Sequence, residues 1–476
     1  MRTLYDRLKK YRDSDFYGFH MPGHKRRNII PAEDTGEVID LPYGIDITEI
    51  EGFDDLHHAD GILLDAQRRA AEVYHAGETH FLINGSTVGI LSAICGVTKK
   101  GDTILVARNC HKSVYHAIYM NELHPVYLYP DFDSEMCLNA EIYPEDVEKA
   151  LELHPDIRAV VIVSPTYDGV VSDVAAIADA VHKKGIPLIV DEAHGAHFGF
   201  YEAFPKNANE RGADLVIHSV HKTLPSLTQT ALLHMNGEIA DRARVKRYLD
   251  MLQTSSPSYV LMASIDACID LLSQDAQALF EPYVSMLFET RDKLSKLRHL
   301  ALIRGKHYDD SKLVISVKNA NITSRELYKR LLSEYHLQME MVAGSYVLAM
   351  TSVADTREGF ERLADALLEI DSGLGESEGN DDLTVGAPRL KVVLDIAGAE
   401  AAACRRPEDV RAVSWDESAG SVSLEYAYLY PPGIPLIVPG ERITKEAAEM
   451  LCRYTDCGFS IEGLKEERYI EVLVNE

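Results

Sequence analysis

The chain has 476 residues, more than one compact core accommodates, which predicts two or three domains. Its 75 acidic and 48 basic side chains leave a net charge of −27, a surface that repels nucleic acid and anionic membranes and attracts cationic small molecules. Seven cysteines without a CxxC pair fit a reducing compartment rather than a disulfide framework. The opening "MRTLYDRLKKYRDSDFYGFH" lacks the apolar stretch of a signal peptide, and no apolar run is long enough to cross a bilayer, so the expectation is a cytoplasmic protein.

In chain order, "THFLING", "DTILVA", "PVYLYP", "AVVIVSP", "PLIVDEA", "LVIHSV" and "TALLHMN", between residues 79 and 236, read as seven strands. The helical patterns between them, such as "STVGILSAICGVTKK" and "DVAAIADAVHKKG", cover both faces, which predicts a mainly parallel α/β sheet. Gly185 reads as the stop of the second helix. After "TSSPSY" (254–259) come two long helical patterns, "LMASIDACIDLLSQ" and "YVSMLFETRDKLSKL". From "KLVISV" at 312 a smaller unit alternates strand, helix, two strands and helix. The Gly-, Ser- and acid-rich "DSGLGESEGNDD" (371–382) reads as a linker. The expected division is an N-terminal segment 1–60, a large domain 61–300, a small α+β domain 301–371, a linker 372–387 and a C-terminal α+β domain 388–476.

Three segments place polar groups at the carboxyl ends of strands, where open parallel sheets bind ligands. "NGSTVG" (84–89) offers Gly85, Ser86 and Thr87 at a helix start, which suits a phosphate; its plainer reading is an ordinary helix cap. "PLIVDEAHGAHFG" (187–199) puts Asp191 directly after four apolar residues with His194 three positions on, and a carboxylate so near a dry strand needs a partner. Its plainer reading is an acid capping the next turn. "SVHKTLPS" (219–226) brings Ser219, His221 and Lys222 to the end of the following strand. A phosphate cradle, a strand-end acid and a strand-end lysine together describe a pyridoxal phosphate site.

The chain resembles the ornithine/lysine/arginine decarboxylase family of fold-type-I, aspartate aminotransferase-like enzymes. The resemblance rests on "FHMPGHK" (19–25), "DITEIEGFDDLHHADG" (46–61), "NGSTVG", "NCHKS" (109–113), "SPTYDG" (164–169), "DEAHGAH" (191–197), "SVHKTL" (219–224) and "YPPGIP" (430–435), in the family's order over nearly the whole chain. It implies that Lys222 holds the cofactor covalently, that Asp191 pairs with the pyridine nitrogen and that His111 stacks on the ring. It further implies that Gly85, Ser86, Thr87, Ser219 and His221 hold the phosphate, with His194 near the ring hydroxyl or the substrate carboxylate. By the same resemblance the active sites lie between subunits of at least a homodimer, and Asp46, Glu49, Asp54 and Asp55 are candidates to read the distal cation of a basic amino acid. The family's "PGHK" segment begins near residue 22, which groups the chain with shorter forms similar to biosynthetic arginine decarboxylases. L-Arginine therefore ranks first as substrate, giving agmatine and CO₂, ahead of L-lysine and L-ornithine.

Rival readings are weaker. "DEAH" also spells a helicase box, but no GxxxxGK[ST] phosphate loop accompanies it. Nineteen histidines raise the question of a metal, yet His194 and His197 lack the remaining ligands of a defined site, so no metal is expected. An aminotransferase shares the fold and the Lys/Asp pair but needs an arginine in the second domain to clamp the substrate carboxylate, and Arg325 and Arg330 lie there on a predicted helix, where solvated arginines are commonplace. A non-catalytic pyridoxal phosphate-binding protein is the remaining alternative.

Overall fold

The structure, a computed structural model, describes residues 3–16, 20–22, 24–28, 40–377, 386–429 and 433–474. Phe19 and Gly23 of the "FHMPGHK" stretch, residues 29–39 of the N-terminal segment, residues 378–385 of the expected linker and Tyr430, Pro431 and Pro432 of "YPPGIP" lie outside the described residues.

All seven expected strands are present and form one sheet. They are β1 (Glu78–Leu82), β2 (Thr103–Ala107), β3 (His124–Leu128), β4 (Ile157–Val163), β5 (Leu188–Asp191), β6 (Leu215–His218) and β7 (Ala231–Met235), in the order β1-β7-β6-β5-β4-β2-β3. β2 runs parallel to β3 and β4, while β7 is antiparallel to both β1 and β6. The near-continuous apolar runs have the reason foreseen: every residue of β5, β6 and β7 is buried, as strands covered on both faces require.

The chain divides into two compact units, Met1–Gly96 with Val190–Glu281, and Val97–Ile189 with Pro282–Glu476. In the first, helix Gly85–Val97 is apolar almost all round and largely buried. A Cβ at Gly89 would come 2.6 Å from Leu82 Cδ1 and 3.3 Å from Ile217 Cγ2, so the glycine lets the helix lie close on β1 and β6.

In the second unit, helix Val174–His182 is capped by Asp173, which accepts from the Ala176 amide, and it ends three residues before Gly185. Strands Ala301–Leu302, Lys312–Ser316, Met341–Val342 and Tyr346–Met350 form a four-stranded antiparallel sheet with helices Ser324–Glu334 and Arg357–Ser372. The last helix runs two residues into the stretch expected to be linker. The C-terminal part holds a five-stranded and a three-stranded sheet around Trp415, Ile437, Leu451 and Val472.

The two long helical patterns after residue 258 run as Tyr259–Leu294, broken at Asp275, whose non-helical backbone and carboxylate, 2.9 Å from the Ala278 amide, start a new turn. Among the described residues no helix is long and apolar enough to cross a membrane.

Candidate active site

The first unit gathers most of the expected site. β5 ends at Asp191, which is 3% exposed, and its carboxylate accepts the Ala193 amide at 3.2 Å. Burial pushes this acid up from its ordinary value, opposed by the charge of Lys222, the Ala193 amide and His218. After β6, Ser219 is fully buried and its hydroxyl meets Ser86 Oγ at 2.9 Å. One short helical turn on, Lys222 Nζ lies 2.9 Å from Nε2 of His194, itself 6% exposed. A lysine ammonium only donates, so His194 accepts through Nε2 and carries its proton on Nδ1. Lys222, His194, Asp191, Ser219 and Ser86 are therefore brought together.

The Ser86 turn is held from below. Gly85 has φ +76°, a left-handed conformation natural to glycine, and a Cβ there would meet nothing nearer than Gln229 O at 3.9 Å. Gln253, itself buried, accepts the Ile83 amide at 2.9 Å, and Asn84 accepts the Thr254 amide at 3.1 Å. Thr87 lies exposed in the first helical turn, whose amides lack intrahelical acceptors. Gln253 and Gln229 escaped the sequence reading because nothing in the local pattern points to a turn more than a hundred residues away.

Other expected residues are placed differently. His221 turns Nδ1 to the Thr230 carbonyl at 2.8 Å, and burial lowers its pKa. The neutral ring donates from Nδ1 and offers Nε2 as an acceptor, so it can donate to a phosphate only by gaining a proton there. His111, in the second unit, caps helix Lys112–Met120, its Nδ1 accepting the Ser113 amide at 3.3 Å and lying 2.8 Å from Ser113 Oγ.

Of the four acids expected to read a distal cation, Asp54 is engaged by backbone amides. Oδ1 accepts the amides of Asp55 and Asp60, and Oδ2 those of Gly61, Leu63 and Leu64, at 2.9 to 3.4 Å, which caps helix Ile62–Val73. Burial pushes this acid up but the amides outweigh it, and its pKa falls. Asp55 likewise accepts the His57 amide at 2.8 Å and faces His58 Nδ1 at 3.2 Å. Asp46 takes a hydrogen bond of 3.1 Å from Nε2 of His24, whose ring stacks on Tyr43 at 4.3 Å. Glu49 is exposed.

A buried chain beside Asp191 was missed altogether. Glu192 Oε2 lies 2.7 Å from His218 Nε2, His218 Nδ1 3.0 Å from His234 Nε2, and His234 Nδ1 2.7 Å from Thr79 Oγ1. A signal existed, since histidine inside "LVIH" and "ALLHM" interrupts an otherwise apolar strand and must find partners there.

Residues 2–365 match the "Orn/Lys/Arg decarboxylase, major domain" family, and residues 389–458 match "Orn/Lys/Arg decarboxylase, C-terminal domain". The chain belongs to the Orn/Lys/Arg decarboxylase family. It is 32% identical to an arginine decarboxylase of Bacillus subtilis (strain 168) over 97% of this chain and 95% of that one. An arginine decarboxylase of Halalkalibacterium halodurans is also 32% identical, over 95% and 93% of the two chains. The fold matches the crystal structure of a Francisella novicida lysine decarboxylase with a TM-score of 0.81 at 18% identity, over 99% of this chain and 81% of that one. Family membership makes the chain an amino-acid decarboxylase of the α/β class foreseen from its sequence.

Proposed function

We propose that this decarboxylase uses pyridoxal phosphate to convert L-arginine to agmatine and CO₂. The observation that carries the reading is the cluster of Lys222, His194 and buried Asp191 beside the Ser86–Ser219 hydroxyl pair, at the carboxyl ends of β5 and β6.

The residues fit the cofactor. The Gly85 turn leaves room where any other residue would place a Cβ, and the start of the 13-residue helix Gly85–Val97 presents amides and hydroxyls to a phosphate. Asp191 is a dry carboxylate whose charge needs a cation, which a protonated pyridine nitrogen provides. Lys222 is the primary amine for the covalent link. When bound, the cofactor supplies an electron sink for the pair left behind as the carboxylate departs.

This chain's side chains do the rest. Asp191 holds the proton on the pyridine nitrogen, and burial strengthens that pairing by excluding water. His194 accepts a hydrogen bond from Lys222, which orients the amine, and its neutral ring can pass a proton between Lys222 and the substrate carbon. His221, on becoming an imidazolium, donates to the phosphate.

Arginine as substrate is supported by the names of the relatives that match almost end to end. Seven cysteines scattered without a CxxC pair support a cytoplasmic setting. By family resemblance the working unit is at least a homodimer. Asp46, Glu49 and Asp55 remain the candidates for the distal cation, because both oxygens of Asp54 are taken by the amides it caps.

The test is CO₂ release from L-arginine, L-lysine and L-ornithine by the purified protein, with Lys222→Ala as control. Arginine is expected to have the highest kcat/KM and the control none. A preference for lysine or ornithine overturns the substrate, and full activity in the control overturns the site.

A further inference from the structure

β5 runs into two consecutive carboxylates, Asp191 and Glu192, 3% and 2% exposed. Burial disfavours the charge on each, and two anions on adjacent residues of a dry site repel each other even from opposite faces of the strand. The proposed function needs the negative charge on Asp191 and commits the Lys222 nitrogen to the cofactor. Short of protonation of the acid itself, something else must neutralise Glu192.

The buried chain supplies it. A nitrogen–nitrogen contact of 3.0 Å between His218 and His234 holds a single hydrogen. In one arrangement Thr79 donates to His234 Nδ1, His234 Nε2 donates to His218 Nδ1, and His218 Nε2 donates to the Glu192 carboxylate. With one more proton, His218 donates from both nitrogens, His234 accepts at Nε2 and donates from Nδ1, and the Thr79 hydroxyl becomes the acceptor. Every bridge survives in both arrangements, so the chain takes up a proton without breaking a hydrogen bond.

Burial, then the neighbouring His218 and His80, hold the His234 pKa well below its usual value, which disfavours an added proton on His234 itself. Glu192 is held in place by the Ala208 amide at 3.0 Å. Tyr74 packs 4.8 Å from both imidazoles, and its hydroxyl is tied to the Ala196 carbonyl at 2.8 Å. The other titratable groups acting on the cluster are Asp191, Lys222, His197, His80 and Cys268.

We propose that His218 is a positioning residue that neutralises Glu192, so that the single negative charge at the end of β5 stays on Asp191 to face the pyridine nitrogen. The inference rests on the pyridoxal phosphate reading above. His218 acts through Glu192 and Asp191 and touches no reacting atom.

The test separates charge from hydrogen bonding. His218→Gln retains a donor toward Glu192 but cannot carry the charge, and Glu192→Gln removes the second acid. In protein reconstituted with pyridoxal phosphate, His218→Gln is expected to move the pH midpoint of the visible absorbance by about one unit and to lower kcat about tenfold, with KM within about threefold. Glu192→Gln alone is expected to stay within about threefold of wild type, and the double variant to recover both midpoint and kcat to that level. A double variant no better than His218→Gln overturns the inference, as does a tenfold loss in Glu192→Gln alone. The latter result decides the matter even if His218→Gln fails to fold. A wild type that takes up no cofactor overturns the functional reading and this inference with it. Uncoupled variants of a coloured, active wild type overturn this inference alone.

Discussion

Replacing Asp191 with asparagine tests the electron sink directly. The substitution keeps the shape and the acceptor for the Ala193 amide, 3.2 Å away, and removes the charge. In a site where this side chain is 3% exposed, a unit charge pair sees little water. At a separation of about 4 Å and an effective dielectric of about 20, such a pair is worth about 4 kcal/mol. An amide oxygen retains part of this, so a loss of about 3 kcal/mol in the transition state is expected, or kcat lower by about 10²-fold.

Stability should move the other way. Burial raises the Asp191 pKa in the folded protein, so the ionised acid destabilises the fold above its unfolded pKa. At neutral pH the cofactor-free Asp191→Asn protein should therefore melt no lower than wild type. The assay is CO₂ release at saturating L-arginine beside a thermal melt of the cofactor-free protein. A kcat within about threefold of wild type would refute the reasoning. So would a large kcat loss accompanied by a collapsed melting temperature, which would make Asp191 structural.

Asp54→Asn should weaken the fold while leaving KM for arginine unchanged, because its five amide partners lose half of their acceptors; a raised KM with unchanged urea midpoint would return it to the substrate pocket. The lowered Asp54 pKa adds a pH signature: wild type holds the advantage above the ordinary carboxylate value of 3.8 and loses it as pH falls through the lower folded value, where the two urea midpoints should converge. Glu441→Gln should cost about 3–5 kcal/mol in urea unfolding, because it strands buried Arg108, which pairs with Glu441 at 3.0 and 3.1 Å. A loss under about 1 kcal/mol would refute that account, and Arg108→Met with Glu441→Leu should recover most of the stability.

The sheet strands and the Lys222–Asp191 pair were legible because both follow from local pattern. Apolar β-branched runs end abruptly at polar residues, and in a parallel sheet those ends converge on one edge. His194 was legible for the same reason, three residues beyond Asp191. The aim of a side chain was not. Asp54 stood among the candidates for the distal cation, but its oxygens are taken by amides of the loop and the following helix start, and amide direction is set by backbone torsion, with Asp54 itself at φ +70°. The tie of His221 Nδ1 to the Thr230 carbonyl, which leaves only Nε2 for a phosphate, depends on how the chain turns back into β7. His111 shows its helix cap only once Ser113 is known to fold under it.

The histidine chain marks the boundary most clearly. That His218 and His234 would be buried could be argued from their strands alone, because each interrupts an apolar run. Their meeting could not, since it requires β6 and β7 to be neighbours with His218 beside Leu232 and His234 beside Thr79 in register. Once those registers exist, a fully buried hydrogen-bonded line runs from Thr79 to Glu192 and stops one residue from the acid proposed to hold the cofactor's charge. An apolar pair at these two positions would fill the same space without leaving polar atoms to satisfy, and would leave Glu192 to be protonated outright or to repel Asp191. The polar pair is the costlier way to build the core, and its position beside the two acids gives that cost a chemical return.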